Sequence, residues 1–426
     1  MSLKVFEAFA GIGCQSIALQ NLGIDFEVVG ISEVDRYALL AYDAIHNEQT
    51  DMEVPSKEEM LEEFNKRHIA YNFSTNKSEI PKNINDITKL YRAHIRNKNF
   101  GDIRLIDPKE LPEIDLFTYS YPCKNISVAG NMKGLDKDSG TQSSLVWDCF
   151  KIIEHRKPKY LLMENVKNLV SNKFMPSFQL VLNELVSLGY NNYWSVLNGK
   201  DFGVPQNRER VMMISIRKDI DDGTFAMPLG KPINKCVEDI LEETVDDKYY
   251  VPDDMVKKFI PNDNFANLYG VDRPLELGFI KKSEEGTKHQ SNTVYDGKSI
   301  SCTLCAGDYK SPKMFLIMDK PIRLGGLFDV DGKRRQAGAV WEKGALAPTL
   351  DTMQGGYRQP LIIEDNAFKI RKLTPLECWR LQGLTDEHFK CAKDIAKLSN
   401  TKLYERAGRA IVIPMLEKIF SNLLLK

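Results

Sequence analysis

The chain has 426 residues, 42% of them hydrophobic and 27% charged, with a formal net charge of −1. That is the composition of a soluble globular protein of two to three domains, and it lacks the run of about 18 apolar residues that a membrane span needs. The neutral balance gives no overall pull toward a polyanion, although a local basic cleft can sit on such a molecule. Its eight cysteines are irregularly spaced, as expected of reduced thiols in a cytoplasmic protein. Cys302 and Cys305 form a C-x-x-C pair with no second pair and no nearby His, so an alternating strand is expected there and no metal site.

The N-terminal MSLKVFEAFAGIG is expected to be the first strand of a domain and not a secretory signal. Val5 to Phe9 form that strand, Gly11-Ile12-Gly13 the turn, Gln15 to Asn21 a helix, and Phe26 to Ile31 a second strand ending near Glu33. This βαβ unit with a glycine-rich turn begins an open doubly wound sheet. From about 47 to 99 the residues turn charged and helical, which predicts an inserted segment on the flank of the sheet. A third strand is expected to end at Gly101-Asp102-Ile103. Further strands are expected at Asp115 to Tyr119, Tyr160 to Met163, Tyr193 to Leu197 and Val211 to Ile216. Residues 218 to about 367 break the rhythm with short strands and many turns, a separate, mostly β and irregular module. Helix returns at Thr374-Pro375-Leu376-Glu377, and a last helix is expected over Ile411 to Leu425.

Three strand ends describe an adenosine pocket. The turn Phe9-Ala10-Gly11-Ile12-Gly13 lets a ligand approach the backbone. Glu33 is placed to bind ribose hydroxyls, Asp102 an adenine amino group, and Ile103 the adenine face. Tyr121-Pro122-Cys123 follows the next strand and offers a soft nucleophile at the same edge. Met163-Glu164-Asn165-Val166 offers a carboxyl that can meet ring N3 of a pyrimidine while a thiolate adds at carbon 6. Gln206-Asn207-Arg208-Glu209-Arg210 adds cations for a phosphate or for that site.

In this order the parts resemble one family, the DNA (cytosine-5) methyltransferases of bacterial or phage type. The resemblance runs from FAGIG through PC, ENV and QNRER to RKLTPLECWRLQG and AGRAIV. It implies a Rossmann-like methyltransferase domain over 1–217 plus 368–426 and a target recognition domain over 218–367. It makes Cys123 the nucleophile, gives Glu164 the N3 edge of cytosine, and has Arg208 support the flipped base. The donor, S-adenosyl-L-methionine, would lie among Phe9, Gly11, Gly13, Glu33, Asp102, Ile103, Pro122, Leu145 and Arg409. Double-stranded DNA would be met by Lys124, Gln206 and Arg210, and by Arg334, Arg335 and Arg358 of the recognition module. A monomer is expected, working in the cytoplasm of a bacterial or phage-infected cell.

Several positions depart from the family pattern. Lys124 stands where the family has Gln, Gln142 and Ser144 where it has Arg and Gly, and Gly408-Arg409-Ala410 where it has Gly-Asn-Ser. A guanidinium at 409 needs an anionic partner. It could clamp the methionine carboxylate or a DNA phosphate. Alternatively it could pair with an extra carboxylate on the transferred group, as in carboxy-S-adenosyl-L-methionine, making 5-carboxymethylcytosine. Two rival readings are a relative acting on tRNA and a catalytically silent DNA-binding protein. The 150-residue module argues against the first, and the intact Cys123, Glu164 and Arg208 against the second.

Overall fold

The computed structural model describes residues 2–73, 75–122, 142–231, 235–252, 254, 259–261, 273–281, 286–317, 323–326, 339–342, 361–363 and 369–425. The chain divides into two compact units: Met1–Ile233 with Thr303–Tyr309 and Cys378–Lys426, and Asn234–Cys302 with Lys310–Glu377.

The first unit is built on six strands: β1 (Leu3–Ala8), β2 (Phe26–Ser32), β3 (Leu116–Tyr119), β4 (Tyr160–Val166), β5 (Tyr190–Asn198) and β6 (Glu209–Arg217). Their order in the sheet is β2-β1-β3-β4-β6-β5. The pairs β1–β2, β1–β3 and β3–β4 are parallel, and β6 runs antiparallel between β4 and β5. Parallel strands are buried on both faces, which is why LLM reads as an apolar run and why even Glu7 and Thr118 in VFEA and LFTY are buried.

Phe6, Phe117, Tyr119, Leu161 and Met213 form one core with helices α5 (Val146–Arg156) and α6 (Met175–Ser187). Residues of the opposite parity, Val5, Leu116, Leu162, Met212 and Ile214, are also fully or almost fully buried. On that side β1 meets α1 (Cys14–Asn21) and α2 (Arg36–His46) through Glu7. The doubly wound α/β sheet expected from the sequence is therefore present.

The segment from 47 to 99 contributes α3 (Lys57–Lys66), opened by a capping box between Ser56 and Glu59, and α4 (Ile84–Arg96). Met60, Phe64, Ile87 and Leu90 give these helices a core with Ile31, Leu39 and Tyr42. One expected strand is corrected. Residues 99 to 105 do not extend the sheet: Asn99 bridges Ile31, and Ile103–Leu105 form a 3-10 turn capped by the Asp102 side chain. Helices α7 (Asn400–Arg409) and α8 (Ile413–Leu424) complete the unit, with α8 packed on α1.

The second unit is mostly strand and loop. Five strands, Phe259–Pro261, Glu276–Ile280, Thr293–Asp296, Met314–Ile317 and Lys369–Lys372, form one sheet over a core of Leu277, Val294, Leu316 and Ile370. Three more, Arg323–Gly326, Ala339–Glu342 and Leu361–Ile363, form another. A buried ion pair joins Arg371 to both oxygens of Glu377 (2.9 and 2.6 Å).

Candidate active site

The strand order places the site. From β1 the chain crosses to β2 on one side, while β3 lies on the other, so the crossovers diverge at the carboxyl ends of β1 and β3. In open α/β sheets that divergence leaves a crevice where ligands bind. The segments emerging there are Phe9–Gly13 after β1 and Tyr121-Pro122 after β3.

The first turn is shaped by its backbone. Phe9, Gly11 and Gly13 all have positive φ (57°, 59° and 75°). The Phe9 N–H donates to the Ser32 carbonyl (2.7 Å), which ties the turn to the end of β2. A Cβ on Gly13 would collide with the rings of His46 and Tyr42, so only glycine fits. The Gly11 N–H donates to Oε2 of Glu33 (2.9 Å), and Oε1 of Glu33 accepts from the N–H groups of Val34 and Asp35 (2.8 Å each). Burial pushes the Glu33 carboxyl up, with the Asp35 carboxylate adding to the effect. Oε2 has a single hydrogen bond among the described residues and so keeps acceptor capacity for a ribose hydroxyl.

Asp102 is almost fully buried and already engaged. Its Oδ2 accepts from His68 Nδ1 (2.8 Å) and from Nη2 of Arg104 (2.6 Å), and Oδ1 from the Arg104 N–H (3.1 Å). An adenine amino group would have to share or displace one of these donors. Ile103 is buried and Leu145 half-buried beside the same core, and Pro122 is half-buried after β3.

The next strand brings in the charged pair. Glu164 on β4 accepts from Nε of Arg210 at 2.9 Å, and both side chains are mostly buried. The neighbouring Asn165 points the other way along the chain, donating to the Tyr121 carbonyl (3.2 Å). It fixes the backbone two residues before Cys123. Cys123 and Lys124 lie outside the described residues, as do Arg334, Arg335 and Arg358.

Three of the expected residues have partners within the chain. Arg208, expected against the bound base, is 2% exposed and donates to the carbonyls of Leu304 (2.8 Å), Gly408 (3.0 Å) and Ala410 (2.9 Å). Burial lowers its pKa to about 9, with Arg210 nearby adding to the effect. Gln206, expected on DNA, is wholly buried, and its Oε1 accepts from Gln382 (3.3 Å). Arg210, also expected on DNA, turns inward to Glu164. A strand alternates its faces, so residues two apart share one only while the strand is regular. Here 208 lies just before β6 and 210 within it.

Arg409 has a partner inside the chain. Its Nη1 donates to Oδ2 of Asp35 (3.0 Å), which also takes Nη2 of the buried Arg406 (2.7 Å). Oδ1 of Asp35 meanwhile caps α2 through the Tyr37 N–H (2.9 Å). Burial pushes the Asp35 carboxyl up, but the guanidinium groups of Arg406 and Arg409 outweigh it and hold it well below the usual range. Sequence reasoning missed Asp35, Arg406 and Asn165. The N-cap position of Asp35 was the one local signal among them.

Among the described residues no group of three His, Cys, Asp or Glu could hold a metal ion, and no helix is long and apolar enough to cross a membrane.

Comparison with known proteins agrees with this geometry. Residues 74–424 match the family model of the C-5 cytosine-specific DNA methylases. The chain is 38% identical to the type II methyltransferase M2.ScrFI of Lactococcus lactis subsp. cremoris, covering 99% of each. It is 34% identical to the orphan methyltransferase M.SssI of Spiroplasma monobiae, over 72% of this chain and 81% of that one. Among solved structures, the S. pombe Dnmt2 methyltransferase has the same fold, with a TM-score of 0.54 at 15% identity over 99% of this chain and 98% of that one. The glycine turn at the switch point, the Glu164–Arg210 pair beside it and these matches together make the chain a member of the C-5 cytosine-specific DNA methylase family.

Proposed function

We propose that the protein methylates carbon 5 of cytosine at a specific sequence in double-stranded DNA, through a covalent adduct with Cys123 and a base turned out of the helix. The observation that carries this reading is the convergence, at the carboxyl ends of β1, β3 and β4, of the Phe9–Gly13 turn, the backbone leading to Cys123, and Glu164 held by Arg210.

The residues of the turn fit S-adenosyl-L-methionine. Gly11 and Gly13 let a ligand come close to the backbone, and Glu33 has an acceptor to spare for a ribose. When bound, that cosubstrate supplies a methyl group on an electrophilic sulfonium. The chain supplies the rest. Carbon 5 of cytosine is a weak nucleophile until a thiolate adds at carbon 6. Cys123 forms that bond, and the carboxyl group of Glu164 gives a proton to ring N3, which neutralises the charge entering the ring. Arg210 fixes the Glu164 carboxyl in direction. After transfer a base removes the proton from carbon 5, and the C6–S bond breaks to release the thiolate. A stacked base cannot be reached in this way, so the cytosine leaves the helix at an expense of a few kcal/mol.

The transferred group is read as methyl. The case for a carboxymethyl donor was an arginine at 409 in want of a carboxylate, and Asp35 meets that want. The second unit is assigned to target recognition, Arg334, Arg335 and Arg358 are the residues proposed to bind the duplex, and the enzyme works as a monomer in the cytoplasm. The test is to incubate the protein with DNA, or with tRNA, and either S-adenosyl-L-methionine or its carboxylated analogue, then weigh the nucleosides. 5-Methylcytosine in DNA is expected, together with a covalent complex on 5-fluorocytosine DNA that Cys123→Ser abolishes. Product only in RNA, or a carboxymethyl product, would overturn the reading.

A further inference from the structure

Beneath the glycine turn lies a carboxyl group that the proposed chemistry does not use. Glu7 on β1 is wholly buried. Its Oε1 accepts from the N–H and the hydroxyl of Ser16 (3.0 Å each), and its Oε2 accepts from the Tyr42 hydroxyl (2.8 Å). Helix α1 begins at Gly13, which has no side chain to cap it. The Ser16 N–H is one of the first amides of that helix, which lack a partner within it, and Glu7 provides the acceptor from another element. Tyr42 packs on His46 (ring centroids 4.3 Å apart), and the His46 ring meets the Ile12 carbonyl through Nε2 (3.0 Å). One carboxylate thus holds both supports of the turn: the first turn of α1 on one side, the Tyr42–His46 pair on the other.

We infer that Glu7 is a positioning residue for the donor: ionised, it holds the Phe9–Gly13 turn in its receiving shape, and protonated, it releases one of the two supports. This rests on the reading that the turn receives S-adenosyl-L-methionine. A carboxylate accepts all three bonds. A carboxylic acid must point its own hydrogen somewhere, and among the described residues its partners are Ser16 and Tyr42, both already donors to it. At least one bond is then lost or reversed.

Burial pushes the Glu7 carboxyl up to about 7, so the two forms exchange near neutrality. Burial moves the titratable groups beside it on α1 and α2 away from that range. On α1 burial pushes the Cys14 thiol up to about 12. On α2 burial raises Tyr42 well above its usual value and lowers His46 to about 4. His388, which faces His46, is lowered by burial as well. The charges of Arg208 and Glu164 act on Cys14; burial lowers Arg208 to about 9, and Glu164 accepts from Arg210.

The experiment measures the Kd of S-adenosyl-L-methionine for the full-length protein by calorimetry between about pH 6 and pH 8, with kcat and KM alongside. The wild type is expected to lose roughly 5- to 10-fold in affinity as pH falls through 7, one titrating group setting the slope. Glu7→Gln should bind weakly at pH 8 and show little of that pH dependence, with kcat at saturating donor within about twofold of wild type. Its comparison with wild type removes the titration of the donor's own amino group, common to both. Tyr42→Phe deletes one hydroxyl, keeps the ring, and should weaken binding at pH 8 less than Glu7→Gln; it carries the test if Glu7→Gln fails to fold. A pH-independent wild-type Kd, a Glu7→Gln or a Tyr42→Phe that binds as wild type does, or a fall in kcat with KM unchanged would overturn the inference. A wild type that binds no donor at any pH would overturn the functional reading instead.

Discussion

Replacing Arg208 with Met separates scaffold from chemistry. The guanidinium donates to three carbonyls that lie far from it in sequence, those of Leu304, Gly408 and Ala410. Hydrogen bonds from a charged group contribute roughly 1.5–3 kcal/mol each, so the gross loss is about 5–9 kcal/mol. Part of this is returned, because keeping the charge buried is itself unfavourable, as the lowered pKa of about 9 records. Met fills much of the volume and needs no partner. The net is a destabilisation of about 3 kcal/mol, or a fall in Tm of roughly 6–10 °C. Thermal melts followed by circular dichroism measure it, with methyl transfer assayed well below the new Tm. Arg208→Lys, which keeps the charge but cannot span three carbonyls, should fall between. If Arg208→Met melts as wild type does while transfer is lost at every temperature, Arg208 acts on the substrate and the scaffold assignment is wrong.

Arg210→Gln should behave in the opposite way, with a Tm within about 2 °C of wild type and kcat down roughly 10- to 100-fold, because the direction of Glu164 is lost rather than a tie in the core; a large Tm change with normal kcat would contradict that. Arg409→Asn should shift stability by less than about 1 kcal/mol, since the arginine is half exposed and Arg406 still neutralises Asp35, and the product weighed by mass spectrometry should remain methyl. Glu7 also makes stability depend on pH. Its folded pKa of about 7 lies above the ordinary 4.5, so its contribution is fully favourable below 4.5 and is lost as pH rises through 7. Denaturant melts of wild type should therefore weaken by up to about 3 kcal/mol between pH 5 and 8 relative to Glu7→Gln, and parallel curves for the two proteins would refute this.

The parts of the site that local pattern can carry were readable. The β1 strand, its turn with glycines at 11 and 13, and the strand that carries Glu164 each follow from a short run of residue types whose backbone needs are specific. Contacts between segments were not readable. The periodicity of QNRER cannot say that Arg208 points into the interior while Arg210 returns to β4, because that depends on where the regular strand begins. Nor can it bury Gln206, whose partner Gln382 is 176 residues away. The anionic partner of Arg409 lies 374 residues upstream at a helix cap, and no local rule joins them. Asp102 was placed at a strand end, yet its neighbours Arg104 and His68 fold it into a turn of their own.

The tie between Asp35 and the arginines of α7 has a consequence for synthesis on the ribosome. While residues 406 to 409 are still inside the exit tunnel, Asp35 has no guanidinium, the carbonyls of 408 and 410 are not there to receive Arg208, and α1 has no α8 to pack on. The nascent chain therefore carries its glycine turn, Glu33 and Glu164 long before the unit around them can close. A messenger that stalls upstream of α7 would leave a fragment that holds these residues without the contacts that close the unit around them.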